Sequence, residues 1–149
     1  MQAKDIMTTD VITVAPEATV EEVAKIITDR GVSGVPVVDS NGKLVGIVTE
    51  GDIIARSKKL HIPTHFQLLG GVIYLEGTKK LEKDLQKMVA FQVKDLMTAK
   101  VFTVSPEAPV EEIATIMTEE RVNRIPVVEH GKLVGIISRA DIVRTLIRK

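Results

Sequence analysis

The 149-residue chain carries 20 basic and 20 acidic residues, and 44% of its residues are hydrophobic. Balanced charge argues against bulk nucleic acid or an anionic membrane as the main partner, and an aromatic content of 3% argues against base-stacking platforms. The absence of cysteine excludes disulfides and thiolate chemistry. The apolar stretch "FQLLGGVIYL" is about half of the length needed to cross a bilayer. We therefore expect a cytoplasmic protein.

The chain contains an internal duplication. Residues 5–38 laid over residues 95–128 give 19 identities in 34 positions, and "VITVAPEATVEEVA" matches "VFTVSPEAPVEEIA". Two copies are too few for a solenoid, so we expect them to pack face to face around a pseudo-two-fold axis. The predicted organisation is one repeat over 1–56, a linker over 57–93 and a second repeat over 94–149.

The first repeat predicts the element order β-α-β-β-α. "VITV" reads as a short strand, and Thr19 with Glu22 forms a capping box at the start of a helix that ends near Gly31. "VPVVD" and "LVGIVT" read as strands joined by a Ser-Asn-Gly turn, and a short helix follows over about 50–56. In the second repeat Pro109 replaces Thr19, so that helix loses its side-chain cap.

The segment between the repeats predicts an amphipathic helix. In "TKKLEKDLQKMVAF" the apolar residues Leu81, Leu85, Met88 and Val89 recur on one helical face, and the lysines lie on a solvated face. The role of this linker stays open.

Each repeat ends its last strand with a hydroxyl residue that an aspartate follows three positions later. The pairs are Thr49 with Asp52 and Ser138 with Asp141. A capping box at the start of a helix explains this spacing locally. The same geometry suits a ribose, since a carboxylate can accept hydrogen bonds from both hydroxyls and a helix start favours nearby phosphate. The residues alone leave both interpretations open.

These motifs occur in the same order in both repeats, and together they resemble a tandem pair of CBS (cystathionine β-synthase) domains, known as a Bateman module. The resemblance rests on "DIMT" and "DLMT", "VITV" and "VFTV", "GVSGVPVVD" and "RVNRIPVVE", and "GIVTEGD" and "GIISRAD". It implies an α/β fold and a regulatory module that binds AMP, ADP or ATP in clefts between the repeats. S-adenosylmethionine or a dinucleotide is the alternative ligand, and whether Mg²⁺ accompanies the ligand stays open.

The resemblance also implies two sites. In each, the aspartate holds the ribose, the hydroxyl residue lies near the phosphates, and apolar residues surround the adenine. One site uses Asp141 and Ser138, with Ile6, Met7, Val11, Val32, Ser33, Val35 and Pro36 around the base. The other uses Asp52 and Thr49, with Leu96, Met97, Val101, Val122, Asn123, Ile125 and Pro126.

The surroundings of the two phosphate positions differ. Arg124 and Arg139 belong to the second repeat, where the first repeat has Gly34 and Glu50. In modules that this chain resembles, a basic residue near the strand before the proline that corresponds to Pro126 contacts the phosphates. We therefore expect unequal sites, with Arg124, and Arg139 beside it, on the phosphate of the Asp141 site.

Two other classes of function compete with this interpretation. His61, His65 and His130 form no metal-binding pattern, and no nucleophile–base arrangement or P-loop is visible, so we expect neither an enzyme nor a catalytic cofactor. A dimerisation module without a ligand is the second alternative. The short helices that end the two repeats carry apolar residues that predict a homodimer in either case, namely Ile53, Ile54, Ile142, Val143, Leu146 and Ile147. The sequence does not identify an effector partner.

Overall fold

The computed structural model describes residues 1–58 and 91–147. The predicted helix of the linker, together with His61 and His65, lies outside the described residues. The helices and strands follow in chain order: α1 (Ala3–Ile6), α2 (Val20–Arg30), β1 (Gly34–Val38), β2 (Leu44–Thr49), α3 (Glu50–Lys58), a 3₁₀ helix (Val93–Asp95), α4 (Val110–Glu119), β3 (Arg124–Glu129), β4 (Lys132–Ser138) and α5 (Arg139–Thr145). This confirms the predicted α/β class, with a two-stranded sheet in each repeat.

The first predicted strand of each repeat is reduced to one parallel bridge. Val14 pairs with Val37, and Val104 pairs with Val127. The Val14 N–H donates to the Pro36 carbonyl at 3.1 Å, and the Val38 N–H donates to the Val14 carbonyl at 3.0 Å. The next bonds of such a ladder would need N–H groups of Pro36 on one side and Pro16 on the other, and proline has none. Pro126 and Pro106 impose the same limit in the second repeat.

The contacts of the chain group its residues into two compact units. Unit 1 comprises Met1–Ala15, Pro36–Ile47 and Thr98–Lys149, and unit 2 comprises Pro16–Val35 and Val48–Met97. The units therefore cut across the order of the repeats in the chain.

Unit 1 is built around a core to which the N-terminal segment contributes. The Ala3 N–H donates to the Ala108 carbonyl at 2.8 Å, and Thr8 forms an antiparallel bridge with Ile136. The first eight residues thus pack against elements of the second repeat. The buried cluster consists of Ala3, Val104, Ala108, Ile113, Met117, Ile125, Val127 and Ile137.

Unit 2 repeats this arrangement. The segment that precedes the second repeat lies beside the start of α2, where the Val20 N–H donates to the Phe91 carbonyl at 2.9 Å and the Val93 N–H donates to the Ala18 carbonyl at 2.7 Å. Val93 and Val23 are fully buried in this unit. Each N-terminal segment therefore supports a helix of the other repeat.

The predicted helix caps are confirmed. The Thr19 hydroxyl accepts from the Glu22 N–H at 3.2 Å, and Gly31 ends α2 in the left-handed conformation with φ of 64°. At the start of α4, Pro109 makes no side-chain cap.

Both hairpins also form. Strands β3 and β4 are antiparallel, and the residues between them, His130 and Gly131, have φ of 52° and 80°, as a type I′ turn requires. In the first hairpin Asp39 Oδ1 accepts from the backbone N–H groups of Asn41 and Lys43, each at 2.9 Å. Among the described residues, no helix is both long and apolar enough to span a membrane.

Candidate functional site

The two hydroxyl–carboxylate pairs have nearly the same geometry. Asp141 Oδ2 accepts from the Ser138 backbone N–H at 2.8 Å and from the Ser138 hydroxyl at 3.0 Å. Asp52 Oδ2 accepts from the backbone N–H and hydroxyl of Thr49 at 2.9 and 3.1 Å. Each hydroxyl in turn accepts from the aspartate N–H, at 3.3 and 3.2 Å respectively. The capping interpretation is therefore correct, and it commits one oxygen of each carboxylate.

A cleft of about 420 Å³ lies beside the Ser138–Asp141 pair in unit 1. Its lining combines the N-terminal segment with the end of the chain, namely Met1, Asp5, Ile6, Met7, Thr8, Asp141, Arg144 and Thr145. Asp141, Ile6 and Met7, three of the predicted site residues, thus line one cleft. Ile6, Met7 and Ile142 are partly buried and also pack against the core of unit 1.

The position of Met7 depends on a close approach to Gly135 in β4. A Cβ atom added at Gly135 would lie 2.5 Å from the Met7 sulfur and 2.9 Å from its Cγ. These separations are too short for a non-bonded carbon, so a side chain at this position would force Met7 to move from its present position. Gly135 therefore supports the position of Met7, which lines the cleft.

Sequence reasoning did not identify Arg144 as a residue of this cleft. Its Nη1 donates to Asp141 Oδ1 at 2.6 Å, an ion pair between residues three positions apart on α5. The Asp141 side chain is only 11% exposed, whereas that of Arg144 is 61% exposed. The i, i+3 spacing of an acid and a base on a helix is the signal that could have revealed the contact.

The two residues predicted to bind phosphate, Arg124 and Arg139, have different surroundings. Arg124 is paired with Ser138 in the β3–β4 register, and directly paired residues project their side chains from the same face of a sheet. Arg139 instead donates through Nη1 to Asn123 Oδ1 at 3.1 Å, and its backbone N–H donates to the Asn123 carbonyl at 3.1 Å. Arg124 therefore lies beside the Ser138 pair, and the Arg139 guanidinium is drawn towards the residues before β3.

The remaining predicted residues are divided between the two units. Unit 2 holds Thr49, Asp52, Val32, Ser33, Val35, Leu96 and Met97, and unit 1 holds Val11, Pro36, Val101, Val122, Asn123, Ile125 and Pro126. Val35, Pro36, Ile125 and Pro126 are fully buried, so their side chains belong to the core. Within the described ranges, no three histidine, aspartate or glutamate side chains are grouped as a metal site would require.

We predict that Gly135→Ala destabilises the protein by roughly 1–3 kcal/mol, because the added methyl group forces Met7 out of its position. The matched control is Gly51→Ala, where the nearest atom to an added Cβ is the Thr49 hydroxyl oxygen at 3.5 Å, an ordinary contact. That change should leave the free energy of unfolding equal or slightly higher, since alanine favours a helix. Urea unfolding of both variants measures this.

A double variant tests the cause. If the clash with Met7 is responsible, Gly135→Ala combined with Met7→Ala should cost clearly less than the sum of the two single changes. Strict additivity would contradict the assigned role of Gly135.

Comparison with known proteins agrees with this architecture. The model of the CBS domain family matches residues 3–59 and 93–148. The uncharacterized protein MJ1426 of Methanocaldococcus jannaschii is 31% identical over 99% of this chain and 92% of its own length. Several other curated relatives are longer, and the chain spans between 23% and 60% of their lengths.

Two solved structures carry adenosine-containing ligands. The crystal structure of CBSX2 from Arabidopsis thaliana in complex with AMP is 29% identical, with a TM-score of 0.74 over 99% of this chain and 96% of that one. The CBS domain pair of protein MJ0100, in complex with 5′-methylthioadenosine and S-adenosyl-L-methionine, is 26% identical, with a TM-score of 0.70 over 99% and 97% of the two chains. With both repeats matched by the family model and the fold shared with these pairs, the chain belongs to the CBS domain family.

Proposed function

We propose that the protein is a regulatory module that binds an adenosine-containing ligand in the cleft of unit 1. The observation that carries the proposal is the Ser138–Asp141 pair at the edge of that cleft, with apolar Ile6 and Met7 in the same lining. A carboxylate for ribose hydroxyls next to an apolar wall for a base matches the chemistry of a nucleoside. The complexes of CBSX2 with AMP and of MJ0100 with S-adenosylmethionine support this class of ligand.

In this proposal each part of the ligand meets a different part of the cleft. Asp141 accepts hydrogen bonds from the ribose, and Ile6 and Met7 face the adenine. Arg124, paired with Ser138 across the hairpin, supplies a positive charge for phosphate. The matching residue of the first repeat, Gly34, carries no charge, so the two repeats should differ in affinity for phosphate-bearing ligands.

The proposed activity is binding without turnover. The polar side chains that line the cleft are those of two acidic residues, two threonines and one arginine, a set without an evident nucleophile–base pair. Output then goes through a partner or a change in assembly, since binding alone transmits nothing. A ligand-free dimerisation module is the competing function, and nucleotide titration separates the two.

We predict that millimolar AMP raises the melting temperature and that Asp141→Asn abolishes the effect, because the amide replaces one acceptor oxygen with a donor and removes the negative charge. A ligand that binds only the native state at a hundredfold excess over Kd adds about 2.7 kcal/mol of stability. Thermal shift with AMP, ADP, ATP and S-adenosylmethionine checks this.

The control is Glu22→Gln, which disturbs an equivalent capping box at the start of α2 outside the cleft. It should lower the intrinsic stability slightly and keep the response to AMP. If none of the four compounds changes the melting temperature of the wild type, the ligand-binding function is wrong and the dimerisation module is favoured.

For Arg124 we predict that its removal weakens the binding of AMP but not that of adenosine. Arg124→Ala should weaken AMP binding about tenfold to a hundredfold, the value of roughly 1.5–3 kcal/mol for a charge-assisted hydrogen bond, and leave adenosine binding nearly unchanged. Calorimetry with both ligands measures the two constants. Equal loss for AMP and adenosine would indicate damage to the fold of the cleft instead of a missing phosphate contact.

We also predict a homodimer that uses the end of α5. Val143, Leu146 and Ile147 are 57%, 75% and 80% exposed, and adjacent exposed apolar side chains mark contact surfaces. Light scattering at micromolar concentration should give twice the chain mass, and Leu146→Glu should give the monomer. Phe102→Glu, at a side chain that is 45% exposed and lies outside α5, is the control and should stay dimeric. A monomeric wild type would refute the prediction.

A further inference from the structure

The carboxylate of Asp141 is nearly saturated with hydrogen bonds before any ligand arrives. An ionised carboxylate offers about four acceptor positions, two on each oxygen. The Ser138 N–H and the Ser138 hydroxyl use the two positions of Oδ2, and Arg144 Nη1 uses one position of Oδ1. One acceptor position is therefore left.

A ribose with two neighbouring hydroxyls brings two donors to this carboxylate. With one position left, the second hydroxyl can bond only if an existing donor leaves. The two bonds from Ser138 belong to the capping box that starts α5, so breaking them would cost helix stability. The bond from Arg144 is the cheaper one to break, because 61% of that side chain is already in water and exposed ion pairs contribute little.

We propose that Arg144 competes with the ribose hydroxyls of a ligand for Asp141. It would thereby raise the ligand concentration needed to fill the Asp141 site and make binding depend on whether the ribose carries both hydroxyls. The inference rests on the proposed binding of a ribose to Asp141. Arg144 holds Oδ1 in the unliganded protein, and a ligand with both hydroxyls must displace it. A ligand with one hydroxyl can use the remaining acceptor position without displacing anything.

The other carboxylate of the cleft is engaged elsewhere. Asp5, the second carboxylate of the lining, accepts from the Gln2 backbone N–H at 2.7 Å as part of the cap of α1. In the first repeat the residue that corresponds to Arg144 is Ala55, which has no donor group. The residue at this helical position therefore differs between the two repeats.

The test is the binding of adenosine, which is uncharged, to the wild type and to Arg144→Met, which keeps the length of the side chain and removes its donors. We expect the variant to bind adenosine about twofold to fivefold more tightly, the range that exposed ion pairs are worth. Binding of 3′-deoxyadenosine, which lacks one hydroxyl, should be the same in both proteins.

Salt gives an independent measurement. Raising NaCl from about 50 mM to about 500 mM weakens the exposed Arg144–Asp141 pair, so adenosine should bind the wild type more tightly at high salt, while Arg144→Met shows no such gain. Arg30→Met, at an exposed arginine in unit 2, should behave as the wild type in every measurement.

The possible outcomes distinguish a failure of the Arg144 competition from a failure of the proposed ligand binding. If adenosine and AMP bind, but Arg144→Met leaves adenosine affinity unchanged or lowers it, the competition is refuted while the binding function stands. If the folded wild type and Arg144→Met both fail to bind adenosine and AMP, the proposed function is refuted together with it.

Discussion

The carboxylate of Asp141 is the point on which both the local fold and the proposed site depend. Its Oδ2 completes the capping box with Ser138 and so starts α5, while its Oδ1 accepts from Arg144. In the proposed site, structure and ligand binding would thus use different oxygens of one side chain. Because the capping bonds fix the carboxylate in place, a ligand that replaces Arg144 at Oδ1 would cause little further loss of freedom in the Asp141 side chain.

Duplication produced two such pairs, and later divergence changed what surrounds them. The backbone geometry is kept to within about 0.2 Å in the capping distances, since any helix that starts after a strand gains from the box. The neighbouring positions carry no such constraint. Arg124 and Arg144 in the second repeat correspond to Gly34 and Ala55 in the first. These two arginines of the second repeat therefore have uncharged counterparts in the first, while both repeats keep the hydroxyl–aspartate pair.

Elements controlled by local chemistry could be predicted from the sequence, as the caps of α2 and both hairpins illustrate. The failures arose where distant residues decide the outcome. Four prolines limit "VITV" and "VFTV" to single bridges, which depends on the neighbouring strand as well as on the segment itself. The packing of Ala3 on Ala108 joins segments far apart in sequence. Arg144 was within reach of sequence reasoning, because its contact with Asp141 spans three residues of one helix.

The cleft joins the two ends of the chain, and this links its occupancy to folding. Ile6 and Met7 come from the N-terminal segment, and Asp141 comes from the last described helix, so the lining exists only when the N-terminal segment is packed on the second repeat. Bringing such distant segments together costs chain entropy, which the native contacts of Ala3 and Thr8 already offset. A ligand that contacts both segments stabilises the docked arrangement over one in which the N-terminal segment is released. The packing of that segment is therefore the part of the fold that a ligand in this cleft would stabilise most directly.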